Sequence, residues 1–224
     1  MKPKTASINL AITFGLLLTV VLGCSLLKKS SSSSSTGGGG GGLGASRDYF
    51  PLNAGDSWKY HSTTADGKQS DFTIKVLNQE TENGNPLYLV ETVSTFQPIH
   101  DWYSKPNGWV LLHREEYMKT GAKAEFQPTR QLLKNPLGNG DSWQWKGKGM
   151  MGLDIEESNS ASGPERVSVP GGNFTAMKVT TRVVQGGMPV TKTYWYAPGV
   201  GLVKSMTDTG AVKSTTELVE YNLK

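Results

Sequence analysis

Cysteine is nearly missing from this chain: its 224 residues hold one thiol, Cys24. With one thiol no intrachain disulfide forms, so a folded body here must be held by its core. Histidine is scarce as well. His61, His100 and His113 are the only three, and their spacing suits no metal site. No metal and no cofactor is expected. There is no HExxH, no Walker loop and no serine elbow, and no stretch keeps an apolar 3.6-residue period over three turns. Charge of either sign is not in excess. The formal +4 includes Lys2 and Lys4, and without them it is +2, which gives no reason to expect a nucleic-acid partner. The longest apolar run, residues 8–22, falls short of the roughly 20 residues that span a bilayer.

That run nevertheless has a purpose. It follows Lys2 and Lys4 and ends at Leu22-Gly23-Cys24, a positive start, an apolar stretch and a small residue before cysteine. Residues 1–23 therefore read as a removable lipoprotein signal peptide; an uncleaved anchor helix is the alternative. The signal implies a diacylglycerol on the Cys24 sulfur and an acyl chain such as palmitate on its new amine. Each buried CH₂ contributes about 0.8 kcal/mol, so several chains hold the protein to a membrane. Ser25 follows the cysteine where the familiar inner-membrane retention signal has Asp, which favours the outer membrane. Residues 24–46 continue with a serine run, Ser30–Ser35, and a glycine run, Gly37–Gly42. This is a linker expected to behave as coil, with a reach of roughly 25 Å.

From residue 47 to 224 the pattern is that of one β domain. Phe72, Ile74 and Val76 alternate with polar neighbours, as do Met177, Val179, Thr181 and Val183, the period of a strand with one buried face. Asp66-Gly67 and Asn83-Gly84 suit type I′ hairpins. Pro170-Gly171 and Pro198-Gly199 suit type II turns, and Gly186-Gly187 and Asp208-Thr209-Gly210 close two more. Short strands with tight turns predict an all-β antiparallel meander, curled into a half-barrel or barrel.

The sequence also repeats. Residues 51–60, PLNAGDSWKY, align with residues 136–145, PLGNGDSWQW, and Trp102-Tyr103 aligns with Trp195-Tyr196. An internal duplication of about 50–118 and 135–208 follows as an expectation. The opening Tyr49-Phe50-Pro51-Leu52 with Gly55-Asp56-Ser57-Trp58 and Tyr60, the closing Trp195 to Lys204 (WYAPGVGLVK), and the Val167–Val179 hairpin segment resemble a family of uncharacterised bacterial lipoproteins and secreted proteins. That resemblance implies a β-rich envelope protein, remotely similar in fold to LolA/LolB-type half-barrels, and carries no binding role across.

No catalytic set emerges. Neighbouring His100 and Asp101 would face opposite sides of a strand. Glu115-Glu116 and Glu156-Glu157 would diverge into solvent. Gly147 to Gly152 matches GxGxxG without its βαβ setting, and Asp208-Thr209-Gly210 is better explained by a turn than by a protease signature. What stands out is aromatic: Trp58, Tyr60, Trp102, Tyr103, Trp143, Trp145, Trp195 and Tyr196 gather near strand ends. They are expected to close the core, or else to line a cleft for an acyl chain or sugar. Three functional readings stay open: a non-enzymatic binding or interaction module that meets an envelope protein, a carrier or sensor of a lipophilic ligand in a half-barrel, and an unrecognised hydrolase.

Overall fold

The computed structural model describes residues 47–224; the leader, Cys24 and the linker of residues 1–46 lie outside the described residues. The described chain runs through twelve strands: β1 (Ser57–Thr64), β2 (Gln69–Glu82), β3 (Asn85–Ser94), β4 (Ile99–Ser104), β5 (Trp109–Tyr117), β6 (Ala122–Lys134), β7 (Ser142–Lys148), β8 (Asp154–Val169), β9 (Gly172–Gln185), β10 (Met188–Ala197), β11 (Gly201–Asp208) and β12 (Lys213–Asn222). Each pairs antiparallel with its sequence neighbours, and β1 pairs with β12, so the meander is a closed barrel. Closure removes both free sheet edges. It also gives every strand an inner and an outer face. On β8, for example, Ile155, Glu157, Asn159 and Ala161 are buried between exposed neighbours.

Most turn chemistry acts as its residues predict. Asn83 and Gly84 both have positive φ, as a type I′ turn needs. Pro198 and Gly199 turn the chain so that the Val200 amide donates to the Ala197 carbonyl at 3.1 Å. Two expectations need correction. At Asp66-Gly67 only the glycine has positive φ, and the Gly67 amide closes the turn on the Thr64 carbonyl at 2.9 Å. Gly171 does not take the left-handed φ of a type II turn. Its amide instead donates to the Leu218 carbonyl at 2.8 Å, tucking the β8–β9 tip onto β12.

The two Gly-Asp-Ser-Trp segments make the same bonds. Asp56 Oδ2 accepts the Asn53 amide at 2.8 Å, and Asp141 Oδ2 accepts the Gly138 amide at 2.7 Å. The Gly55 amide donates to Val76 and the Val76 amide to Asp56; Gly140, Ala161 and Asp141 repeat both bonds. Each strand register also shifts within a Trp-Tyr pair, between Trp102 and Tyr103 and between Trp195 and Tyr196.

One junction is weak. β6 and β7 share a single paired position, Gln127 opposite Lys148. The cause lies on β6: Glu125 faces Arg114 and Arg130 faces Leu112, so residues 126–129 bow out against one residue of β5. Two indoles replace the missing ladder. Trp143 Nε1 donates to the Gln131 carbonyl at 3.2 Å, and Trp145 Nε1 to the Pro128 and Thr129 carbonyls at 3.2 and 3.1 Å. Gly147 lets the bow approach, because a Cβ there would lie 2.7 Å from the Gln127 carbonyl oxygen and 2.5 Å from the Trp145 ring.

Gly147→Ala should therefore destabilise the barrel by about 1–3 kcal/mol, the usual cost of overpacking. Urea unfolding reads this directly. An unchanged midpoint would mean that the junction does not depend on that approach.

Candidate functional site

At the barrel end where the chain enters, residues 48–52 cross the mouth as a strap. Asp48 holds it: its carboxylate accepts Lys105 Nζ at 2.6 Å and Asn135 Nδ2 at 2.7 Å. Lys105 Nζ also donates to the Phe50 carbonyl at 2.9 Å, and the Gly199 amide donates to the Asp48 carbonyl at 2.7 Å. Burial works against the Asp48 charge, but these donors outweigh it and hold its pKa low. The two family-like motifs meet here. Trp58 Nε1 donates to the Val200 carbonyl at 2.7 Å, and the Tyr60 hydroxyl to the Leu202 carbonyl at 2.8 Å.

Below the strap the interior carries charge. Asp101, Glu115, Arg130, Glu157 and Lys192 are all buried. This corrects the expectation that Glu115 and Glu157 are solvated. Each does diverge from its neighbour, as the strand period requires, but barrel closure turns one member of each pair inward. Arg130 grips Glu157 in a two-point fork, Nη2 to Oε1 at 2.6 Å and Nε to Oε2 at 3.1 Å. Burial opposes the Arg130 charge, and Glu157 more than offsets it, so the guanidinium stays protonated. Burial raises the Glu115 carboxyl, against the pull of Arg130 and Lys192. Burial, then Glu115, pushes Asp101 well above the carboxylate range. Lys192 is drawn down to about 8 by burial and by Arg130. Asp101 is thus biased toward its neutral form beside the Arg130–Glu157 pair, which lowers the number of charges a dry interior must hold.

A cavity of about 60 Å³ lies between this cluster and the strap, lined among others by Phe50, Tyr103, Asp101, Glu115 and Arg130. Ligand pockets hold roughly 300–1,000 Å³, while one water takes about 30 Å³ of liquid. The space suits water beside Asp101 Oδ1, a buried oxygen without a protein partner. This cavity by itself is too small for an acyl chain.

The aromatic residues divide three ways. Trp58, Tyr60, Tyr103 and Tyr196 line the cavity. Trp143 and Trp145 seal the β6–β7 junction. Trp102 and Trp195 point outward: Trp102 packs with Leu87 and Leu89 beneath the Arg114 guanidinium, 4.2 Å from its ring, and Trp195 donates to Glu165. The eight are therefore not one surface.

Of the histidines, His61 meets Asp71 at 2.6 Å in an exposed pair, and His100 lies 3.4 Å from Glu91. His113 is different. It is the residue that β5 inserts between its Trp102 and Tyr103 partners, and its Nε2 lies 2.8 Å from Ser104 Oγ. Both line a cleft of about 670 Å³ on the barrel's side, with Glu82, Arg114, Glu125 and Gln127. Burial lowers the His113 pKa against the opposing field of Glu82, so the ring is neutral near pH 7. Glu82 itself is ion-paired with Arg114 at 2.9 Å. Ser104 carried no signal in the sequence, because a β-bulge brings the pair together.

The interior carboxyl gives a pH test. Asp101 has a folded pKa above its unfolded value near 3.9, so its contribution is complete below about pH 4 and lost as pH rises through the folded value. Asp101→Asn cannot ionise and should lose less stability than the parent as pH rises above about 4, read from urea midpoints. Parallel curves for the two proteins would contradict a protonated Asp101.

No family model matches the chain, and no curated protein does. Among solved structures the chain is similar to an assumed lipoprotein from Parabacteroides distasonis, with 16% identity over 80% of this chain and 100% of that one and a TM-score of 0.47. It is also similar to an assumed exported protein with YmcC-like fold from Bacteroides fragilis, with 15% identity over 79% and 99% and a TM-score of 0.45. The hypothetical lipoprotein YmcC from Escherichia coli matches at 12% identity over 75% and 88%, with a TM-score of 0.44.

Proposed function

We propose that this chain is a bacterial envelope lipoprotein, anchored in the outer membrane through acyl chains on Cys24, whose barrel works as a non-enzymatic interaction module. The observation that favours surface interaction is the small cavity beside the charge cluster, about 60 Å³, well below the roughly 300–1,000 Å³ of a ligand pocket. The leader and Cys24 carry the anchoring half of the reading. In cells fed radiolabelled palmitate, the parent chain should take up label and band with outer membrane in a density gradient. Cys24→Ser should lose the label and keep its leader. Label in Cys24→Ser, or an unlabelled parent, would contradict the anchor.

A second reading rests on Ser104 and His113. Their 2.8 Å contact in an open cleft is the geometry in which a neutral imidazole takes a hydroxyl proton as the oxygen attacks a carbonyl. A fluorophosphonate probe tests it. Under the interaction reading Ser104 stays unlabelled; under the hydrolase reading it is labelled, and labelling disappears in His113→Gln.

A further inference from the structure

Beneath the strap the charge count does not close. Among the described residues the interior there holds three buried carboxyl groups, Asp101, Glu115 and Glu157, against two buried cations, Arg130 and Lys192. The Arg130 fork is engaged with Glu157, and Lys192 stands in the field of Glu157 and Glu115. One carboxyl is left over. The strand register shows where: Asp101 lies directly opposite Glu115 across the β4–β5 ladder, and both are buried and line the cavity. Side chains so placed have Cβ atoms about 5 Å apart, and like charges at that position are destabilising.

Hydrogen bonding leaves a gap at the same corner. Three buried side-chain polar atoms have no partner among the described residues: Asp101 Oδ1, the Tyr117 hydroxyl oxygen and Asn159 Nδ2. The two oxygens belong together, because Tyr117 lies in the field of both Glu115 and Asp101. Asn159 is on β8, where its carbonyl oxygen accepts the Thr181 hydroxyl. Asp101 is only 2% exposed, and the buried Thr92 lines the cavity beside it. Leaving such an oxygen without a partner costs the full desolvation of the group.

The chemistry of the lining selects what would fill the space. Two carboxylates exclude an anion. Water donates to Oδ1 but leaves the surplus charge, and a proton cancels the charge but creates a hydroxyl that needs an acceptor of its own. A hard monovalent cation meets both needs at once, since such ions take carboxylate and neutral oxygen ligands and one positive charge closes the count. A divalent ion would overshoot by one charge, and no group of three His, Cys, Asp or Glu gathers among the described residues to hold it. The cavity, about 60 Å³, has room for a small ion and a water.

We propose that the cavity beneath the strap is a sodium site, with Asp101 and Glu115 as its charged ligands. Sodium is chosen among monovalent ions because the space is small. The ion would join β4 to β5 from within, at the position where two acids otherwise repel. Without it, a proton on Asp101 removes the same charge. The site goes beyond the interaction reading, because it depends neither on the anchor nor on what the outer surface meets.

The test is urea unfolding of the full chain in sodium chloride and in choline chloride at equal ionic strength, so that screening is the same in both. An ion bound only by the folded state stabilises it by mass action. The unfolding equilibrium constant should be at least tenfold smaller in sodium, with the gap widening as sodium rises. Asp101→Asn should unfold alike in the two salts. Sodium NMR decides without a variant: the parent should broaden the sodium line saturably. Equal unfolding of the parent in both salts, a sodium effect that survives in Asp101→Asn, a larger gain from calcium, or an unbroadened line would overturn the proposal. None of these measurements involves Cys24, so their failure leaves the anchor standing.

Discussion

The Arg130 guanidinium and the Glu157 carboxylate meet inside the barrel at 2.6 Å, and they connect β6 to β8 across the strand between them. That strand is where the sheet is thinnest, because β6 and β7 pair at one position only. A sheet of twelve strands gains nothing from eleven good junctions if the twelfth opens, since an open meander exposes two edges and its inner face together. The ion pair acts from inside, and the Trp143 and Trp145 indoles act on the β6 carbonyls. The β6 bow, the Gly147 approach and the buried pair are thus one device.

The same constraint explains the rest of the interior. A buried guanidinium needs its counter-charge, and that charge has neighbours. Glu115 and Lys192 lie beside the pair, and burial together with Glu115 biases Asp101 toward its neutral form. Aromatic residues fill the remainder: Tyr60 stacks on Phe72 at 5.1 Å, and Phe50 of the strap reaches Tyr103 at 5.2 Å. An interior so occupied is a structural core.

Much of the fold was legible in the residues. Period-two alternation at Phe72, Ile74 and Val76, and turn pairs such as Asn83-Gly84, locate strands through local chemistry that tertiary context does not override. The meander follows from the short connections, whereas the choice between half-barrel and closed barrel is made by the long-range pairing of β1 with β12. The charged interior was not legible. Glu157 sits in a row with Ile155, Asn159 and Ala161, and nothing local marks that row as the inner one. Glu115 reads as one of two adjacent acids until the bulge at His113 sets which faces in. Ser104 and His113 are nine residues apart and meet only because that bulge re-aims the histidine. Register shifts are decided by long-range pairing, so their consequences escape a reading made along the chain. The Pro170-Gly171 turn differs from its local preference because β12 offers the Leu218 carbonyl.

The direct test of this account is a double-mutant cycle on Arg130→Met and Glu157→Met, read by urea unfolding. If the pair closes the barrel, each single change strands a buried charge and should cost about 3–5 kcal/mol. The double variant, with two apolar side chains of similar volume, should recover most of that loss, leaving a large coupling. Small, additive costs for the two single changes would contradict it.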